Sequence, residues 1–288
     1  MEIKIKEFED SLIDELICLR KSFYSRDDLL LDQSYIRWLY EKNTSGKTKL
    51  AIATEEGKFI GMIALIPIPI MQSGKTIIGY FAAHVLVHPD HNGKNIFIKL
   101  IRHAVKFITN SNSILIGHPN QLAIPGWTRA KMEFLPSLNY YTTKPSFDFS
   151  YRNRPLQNIS ELKKILSSKV ICNDTVQVNL SAEFIEWRYI DCPNNTYKVN
   201  VVEYRGKIIG IIVYKVIKQF IKVIMDYVEL TENAIIHSSI IPSIVAVKNK
   251  PSVLSFNLNK SLPYFVTNYS DLIINPTTSN INLSATDL

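Results

Sequence analysis

The residues of this chain best placed to do chemistry lie in the stretch Tyr80 to Phe107, YFAAHVLVHPDHNGKNIFIKLIRHAVKF. An apolar run ends at Leu86 and Val87, and a polar loop follows over Pro89-Asp90-His91-Asn92-Gly93-Lys94. Apolar residues then recur at helical spacing, at Ile96, Leu100, Ala104 and Phe107. A loop that turns sharply into a helix leaves the first backbone N–H groups of that helix without partners. Together with the positive end of the helix dipole, those groups form a site for phosphate. Gly93 lets the backbone approach an anion closely, and Asn95 is of a type that tolerates positive φ. Lys94 adds a positive charge at the mouth. An ordinary strand-to-helix connection uses the same residue types, so the loop alone leaves both readings open.

Three histidines fall nearby, His84, His88 and His91. Positions four apart on a strand are separated by about 13 Å, whereas ligands sit about 2 Å from the ion they share. That spacing argues against a metal. A histidine with a pKa near neutrality can instead take up a proton, which makes His84 a candidate base. A rim histidine satisfied by a backbone carbonyl would look the same in sequence.

The elements that must position these residues occur twice. Tyr35-Ile-Arg-Trp38-Leu-Tyr40 matches Phe184-Ile-Glu-Trp187-Arg-Tyr189 at an offset of 149 residues, and Gly57-Lys58-Phe59-Ile60-Gly61 matches Gly206-Lys207-Ile208-Ile209-Gly210 at the same offset. Lys49 pairs with Lys198 and Ile63 with Ile212, with no gap anywhere. The chain therefore reads as two copies of one unit. Each copy is a helix ending in an aromatic trio, a strand, a Gly-Lys turn and a second strand. Because Tyr35, Trp38 and Tyr40 recur, packing explains the trio better than lining of an acceptor pocket does. The copies differ after the next strand. In the second, Ile221 to Leu230 runs into Thr231-Glu232-Asn233-Ala234, which has no glycine, and Glu229 and Glu232 would repel a pyrophosphate.

The loop resembles the central motif of the GNAT superfamily of N-acetyltransferases, Gln/Arg-x-x-Gly-x-Gly/Ala, aligned with Asn92-Gly93-Lys94-Asn95-Ile96-Phe97. The lead-in Val87-His88-Pro89-Asp90-His91 matches the family's V-x-P-x-[YH]. Asn92, Asn95 and Phe97 depart from the pattern. A phenylalanine at the last position occurs in one subgroup, whereas Asn95 narrows the space for the pyrophosphate. Ser113 to Asn120, followed by Ile124 to Phe134, is similar to the G-F-P-N strand end and following helix of bacterial members. A β-turn at His118-Pro119-Asn120 is compatible with either reading.

This resemblance implies an α/β fold of two tandem acetyltransferase-like (GNAT) domains, each a mixed, mostly antiparallel twisted sheet flanked by helices. Residues 1–153 would carry the coenzyme A loop, and 154–288 would be a degenerate copy. Tyr151 to Pro155 reads as the linker, with a helix from Ser160 to about Leu166 after it. The degenerate copy is expected to wall the acceptor site, to form a homodimer contact, or to stabilise the first copy. In the family the next strand splays from the first, and the pantetheine arm lies in the wedge. Leu86, Val87, Asn92, Gly93, Lys94, Asn95, Ile96 and Phe97 would then contact acetyl-CoA, with His84 and Asn120 as catalytic residues. Where the family often has a tyrosine acid, this chain has Ile124, which leaves Tyr140 and Tyr141 as candidates. The implied reaction is acyl transfer from coenzyme A to a small-molecule primary amine, such as an amino sugar of surface polysaccharide. Alternatives are a non-catalytic acyl-CoA-binding or interaction protein, and a tRNA-dependent aminoacyl transferase. Transferases of the latter kind are longer and carry a helical arm not found here.

Composition bounds these readings. The 288 residues suit two domains of ordinary size, and 46% apolar residues can fill their cores. A net charge of +7 implies an anionic partner. Lysines are spread through the chain without an arginine-rich run, which speaks against nucleic acid. The charged, alternating start is not a signal peptide, and the apolar run Phe59 to Met71 contains two prolines and is too short for a membrane span. Cys18, Cys172 and Cys192 are widely spaced and odd in number, as expected of thiols in a reducing compartment. A cytoplasmic location follows, with a loose terminus after Asn275.

Overall fold

The computed structural model describes residues 1–26, 28–72, 74–143, 150–168, 175–193, 196–217, 221–230, 243–247, 254–267 and 273–274, with backbone alone for 136–143, 175–177, 221, 243–247, 254–267 and 273–274. Cys172, Thr231 to Ala234 and the segment after Asn275 lie outside the described residues.

The N-terminal half runs β1 (Glu2–Glu7), α1 (Ile13–Arg20), α2 (Gln33–Tyr40), β2 (Lys49–Glu55), β3 (Lys58–Gln72), β4 (Lys75–Val87), α3 (Ile96–Asn110), β5 (Leu115–Gly117), α4 (Ile124–Arg129) and β6 (Leu135–Thr143). The C-terminal half begins with β7 (Tyr151–Pro155), α5 (Ile159–Leu166), β8 (Thr175–Val178) and α6 (Ala182–Ile185), which continues as a π-helical turn over Glu186–Ile190. β9 (Lys198–Tyr204), β10 (Lys207–Ile217), β11 (Ile221–Glu229), β12 (Ser243–Val247), β13 (Leu254–Thr267) and β14 (Ile273–Ile274) complete it.

Local sequence explains why the same elements form twice. Asp32 caps α2 by accepting from the amides of Ser34 (2.7 Å) and Tyr35 (3.1 Å), and Ser181 caps α6 by accepting from Phe184 (3.2 Å). The β2–β3 turn has positive φ at both Glu56 (52°) and Gly57 (78°), and the β9–β10 turn repeats it at Arg205 (49°) and Gly206 (76°). Two consecutive positive φ values are what a tight turn needs to match the twist of its strands. Each hairpin then skips one residue. Ala53 faces Gly61 but Thr54 faces Phe59, and Val202 faces Gly210 but Glu203 faces Ile208. The skipped residues, Ile60 and Ile209, occupy equivalent places in the repeat.

The strands follow the order β1-β2-β3-β4-β5-β13-β6-β12-β11-β10-β9-β7, which reads as its own mirror under the repeat. β4 and β5 pair in parallel, as do β11 and β12. At the centre the halves exchange strands. β13, from the end of the chain, pairs antiparallel with β5 of the first half through Phe265–Gly117 to Thr267–Leu115. β6, from the first half, pairs antiparallel with β12 of the second. β13 and β6 also pair with each other, so the two sheets are continuous.

Tyr151 to Pro155, expected to be a linker, is instead the edge strand β7, paired with β9 from Tyr151–Tyr204 to Pro155–Asn200. It stands where β1 stands in the first half. Arg154 bonds both Glu161 (2.6 Å) and Glu203 (2.7 Å), and the Tyr151 and Tyr204 rings lie 4.6 Å apart. These contacts give a polar, proline-ended segment its partners.

On one face of the first sheet, α3 buries Ile96, Leu100, Ile101, Ala104 and Ile108 against Ala51, Ile63 and Leu65. On the other face α1 and α2 join a core continuous with that of the second half. Trp38 and Trp187 meet at its centre with rings 5.4 Å apart and nearly parallel. Trp38 Nε1 donates to the Trp187 carbonyl (2.9 Å), and Trp187 Nε1 donates to the Trp38 carbonyl (3.0 Å). The bond and its reverse are what a two-fold relation between the copies requires. Among the described residues, no helix is long and apolar enough to cross a membrane.

Candidate active site

β4 and β5 run side by side for only three residue pairs, Tyr80–Leu115, Phe81–Ile116 and Ala82–Gly117. β5 itself ends at Gly117, and its other edge is taken by β13. Among the described residues no strand pairs with that edge of β4 beyond Ala82, so its backbone from His84 to Val87 is left without a strand partner on that side. A bulge marks the same place. Met62 faces Leu86 and Ala64 faces Ala83, and His84 within the bulge has φ 50°. A non-glycine residue with positive φ carries a conformational cost, of the kind concentrated at functional sites.

Past Val87 the chain makes a turn at Pro89–His91 and enters α3. Gly93 has φ 80°, and nothing lies within 4 Å of where a Cβ would stand. Asn95 has φ 56° and precedes the first helical residue, without capping the helix through its own side chain. The N–H groups at the start of α3 are therefore not claimed by that cap. Asn95 Oδ1 instead accepts from Arg129 of α4 (3.0 Å). Its left-handed backbone is of a kind that glycine adopts without cost. Phe97 turns its ring onto Gly126, where a Cβ would come within 2.4 Å of the ring, and meets Trp127 edge-on at 6.1 Å. The small residue in α4 thus makes room for the large one in the loop.

Charge around the loop is mixed. Lys94 Nζ lies 3.3 Å from His91 Nδ1 and 3.8 Å from Glu55 Oε2, with His91 Nδ1 3.3 Å from the same carboxylate. His88 packs edge-on against His91 at 6.0 Å. A cleft of about 590 Å³ opens beside these histidines, bounded by Glu15, Cys18 and Leu19 of α1 and by Phe59.

Asn120 is exposed at the end of β5. Its Oδ1 accepts from the Ala123 amide (2.9 Å) and its carbonyl accepts from Ala123 and Ile124 (3.0 and 3.2 Å). It shapes the turn into α4. The backbone of Tyr140 and Tyr141 lies on β6, where they pair with Ala246 and Val245 of β12.

His84 is tied to two residues that the sequence did not connect to it. Its Nδ1 is 2.6 Å from Tyr40 Oη, and that oxygen accepts from Arg20 Nη2. Arg20 is fully buried, donates also to the Leu30 carbonyl (3.0 Å), and lies 5.3 Å from the centre of the Tyr40 ring. Burial, and then the Arg20 charge, hold the His84 pKa well below its ordinary value. Burial likewise raises Tyr40, to about 12. Packing is therefore not the whole role of the aromatic trio. The recurring Tyr40 and Tyr189 offered the signal, since a buried phenol needs a partner for its hydroxyl. In the second half Tyr189 donates to Asp226, which stands beside the bulge of β11.

No protein-family model matches the chain, and no curated protein matches it in sequence. Solved structures do match. A probable N-acyltransferase from Enterococcus faecalis is 12% identical with a TM-score of 0.69, over 92% of this chain and 72% of the other. Yeast N-myristoyltransferase with bound myristoyl-CoA is 12% identical with a TM-score of 0.57, over 96% and 86%. A tandem GNAT protein from the clavulanic acid biosynthesis pathway is 9% identical with a TM-score of 0.53, over 92% and 98%. The fold of this chain is thus the GNAT fold in tandem.

Proposed function

We propose that the chain is an acyl-coenzyme-A-dependent N-acyltransferase with one coenzyme site, in its N-terminal half. The observation that carries this reading is the edge of β4 left unpaired beyond Ala82, leading to a loop whose Gly93 leaves its backbone bare at the start of α3. The N–H groups from Gly93 to Phe97 hold the pyrophosphate, with Lys94 at the mouth. The edge of β4 at Leu86 and Val87 holds the pantetheine arm as an added strand would be held. An unprotonated amine attacks the thioester carbonyl and forms the C–N bond. The nitrogen then gives up a proton to solvent, the tetrahedral intermediate collapses with cleavage of the C–S bond, and the departing thiolate takes up a proton from solvent. His84 stands in the bulge at the thioester, and Asn120 at the end of β5.

The acceptor is a primary amine, with an amino sugar of surface polysaccharide as the class suggested by the family resemblance. The cleft beside α1 offers Glu15 and Asp90 to such an amine, with Lys58 opposing them on the same lining. Acetyl is the donor group we assign. The yeast neighbour was solved with myristoyl-CoA, so a longer acyl chain is the competing donor.

Calorimetric titration of the full chain with acetyl-CoA tests the reading, and one site per chain is expected. Absence of heat at millimolar coenzyme would overturn it. Binding without acyl release in the presence of amines would make the protein an acyl-CoA binder instead of an enzyme.

A further inference from the structure

We propose that His84 is held as the neutral tautomer with its proton on Nε2, so that it works as a fixed hydrogen-bond donor and not as a base, and that Arg20 and Tyr40 are the positioning residues that enforce this. A guanidinium can only donate. The Tyr40 oxygen accepts from Arg20, and the phenolic proton must then go elsewhere. His84 Nδ1 stands at hydrogen-bond distance to take it, 2.6 Å away. Nδ1 accordingly carries no proton, and in a neutral imidazole the proton then sits on Nε2. The repeat supports the direction of this bond. Tyr189, which matches Tyr40 in the repeat, donates to Asp226. The same tyrosine donates in both halves, to a carboxylate in one and to an imidazole nitrogen in the other.

The charged and titratable groups facing His84 come from two elements. Arg20 of α1 opposes a positive imidazolium, and Tyr40 of α2 is itself buried and un-ionised. Neither favours proton uptake. At the thioester, an Nε2–H would stabilise the negative charge that develops on the carbonyl oxygen when the amine attacks, without transferring its own proton. The ammonium proton of the acceptor leaves to solvent before attack. This role rests on the acyltransferase reading, whereas the tautomer does not.

The test uses the full chain labelled with nitrogen-15 at histidine, at pH 7 and without coenzyme. A long-range proton–nitrogen correlation should show Nε2 protonated and Nδ1 bare for the signal that disappears in His84→Gln. Tyr40→Phe should release the preference towards a mixture of tautomers, and Arg20→Lys should weaken it. A proton on Nδ1, or an imidazolium at pH 7, would overturn the assignment in unmodified protein, without reliance on any variant folding. Turnover supplies a second arm. His84→Ala should lose about 10²-fold or more in kcat/KM, the scale of one lost oxyanion donor. His84→Gln keeps an N–H donor and should lose roughly tenfold less. Equal losses in the two would sink the donor role. An unmodified chain that transfers no acyl group would defeat the function proposed above, and the tautomer would still decide this assignment.

Discussion

The two halves share their turns, the skipped residue of the first hairpin and a buried tyrosine, and they part at the end of the fourth strand. In the first half β4 leads through Gly93 and Asn95 into a long helix with an open start. In the second, β11 ends at Glu229, and the acceptor of the tyrosine bond is a carboxylate, not an imidazole. What both retain is what a sheet needs to close: the β2–β3 type of hairpin, the bulge and the stacked tryptophans. After the fourth strand the first half has Gly93 and Lys94, whereas the sequence of the second continues Thr231-Glu232-Asn233-Ala234 with no glycine. The comparison separates the parts of the repeat that keep the molecule folded from those that give one half a site.

The severest way to break it is through the shared centre. Trp38→Ala should destabilise the chain by about 3–5 kcal/mol, the cost of emptying a buried aromatic site. Trp187→Ala should cost about the same, and the double variant less than the sum, because each single change already breaks the pair. Urea unfolding followed by tryptophan fluorescence measures all three. Strictly additive losses would mean that the indoles stabilise their own halves independently.

A second intervention touches one half alone. A methyl at Gly126 would stand 2.4 and 2.7 Å from carbons of the Phe97 ring. Gly126→Ala should cost about 1–3 kcal/mol as an overpacked contact, and it should weaken coenzyme binding by displacing the start of α3. Gly126→Ala combined with Phe97→Leu should restore much of both. Unchanged affinity in the single variant would detach the loop from α4.

Much of this architecture was legible in the sequence, and the reason is geometric. An ungapped offset fixes local elements, so the aromatic helix ends at Tyr40 and Tyr189 and the turns at Gly57 and Gly206 could be read from their neighbours. The exchange of β6 and β13 could not, because strand pairing over more than a hundred residues leaves no local trace. β7 escaped notice because Arg152, Asn153 and Arg154 lack the alternation of a half-buried strand; its arginine finds its carboxylates only in the fold. The tie between Arg20, Tyr40 and His84 was hidden for the same reason. Each residue type was visible, but α1, α2 and the bulge of β4 meet only after packing.

Gly93 tests the site more gently. Gly93→Val places a β-branched residue at φ 80°, where side chains are strained but have space. Coenzyme affinity should fall by roughly 1 kcal/mol or more, with little change in the rest of the fold. Titration should still give at most one coenzyme per chain. Two sites in the unmodified protein would erase the functional difference between the halves.

Acid separates the halves more quietly. Because the folded-state pKa of His84 is lowered, the unfolded chain binds the proton more readily. The stability linked to His84 is therefore complete above its unfolded pKa, about 6.5, and is lost as pH falls from there toward the folded value. Between pH 7 and 8 no change is expected from this group. His84→Gln should flatten the acid side of a plot of unfolding free energy against pH, and an unaltered slope would show that the imidazole is solvated.

The smallest effect belongs to the acidic end of β11. If the second half holds no coenzyme, Glu229→Lys should change acetyl-CoA affinity by less than about threefold at physiological salt, since exposed charges beyond about 8 Å are largely screened. The same reversal would attract a phosphate if β11 led into a working loop. Glu55→Gln in the first half is the paired control, because Glu55 lies 3.8 Å from Lys94 and competes for its charge. It should tighten binding modestly and lower the salt dependence of the competition. A gain from Glu229→Lys larger than that from Glu55→Gln would place the phosphate at the wrong end of the repeat.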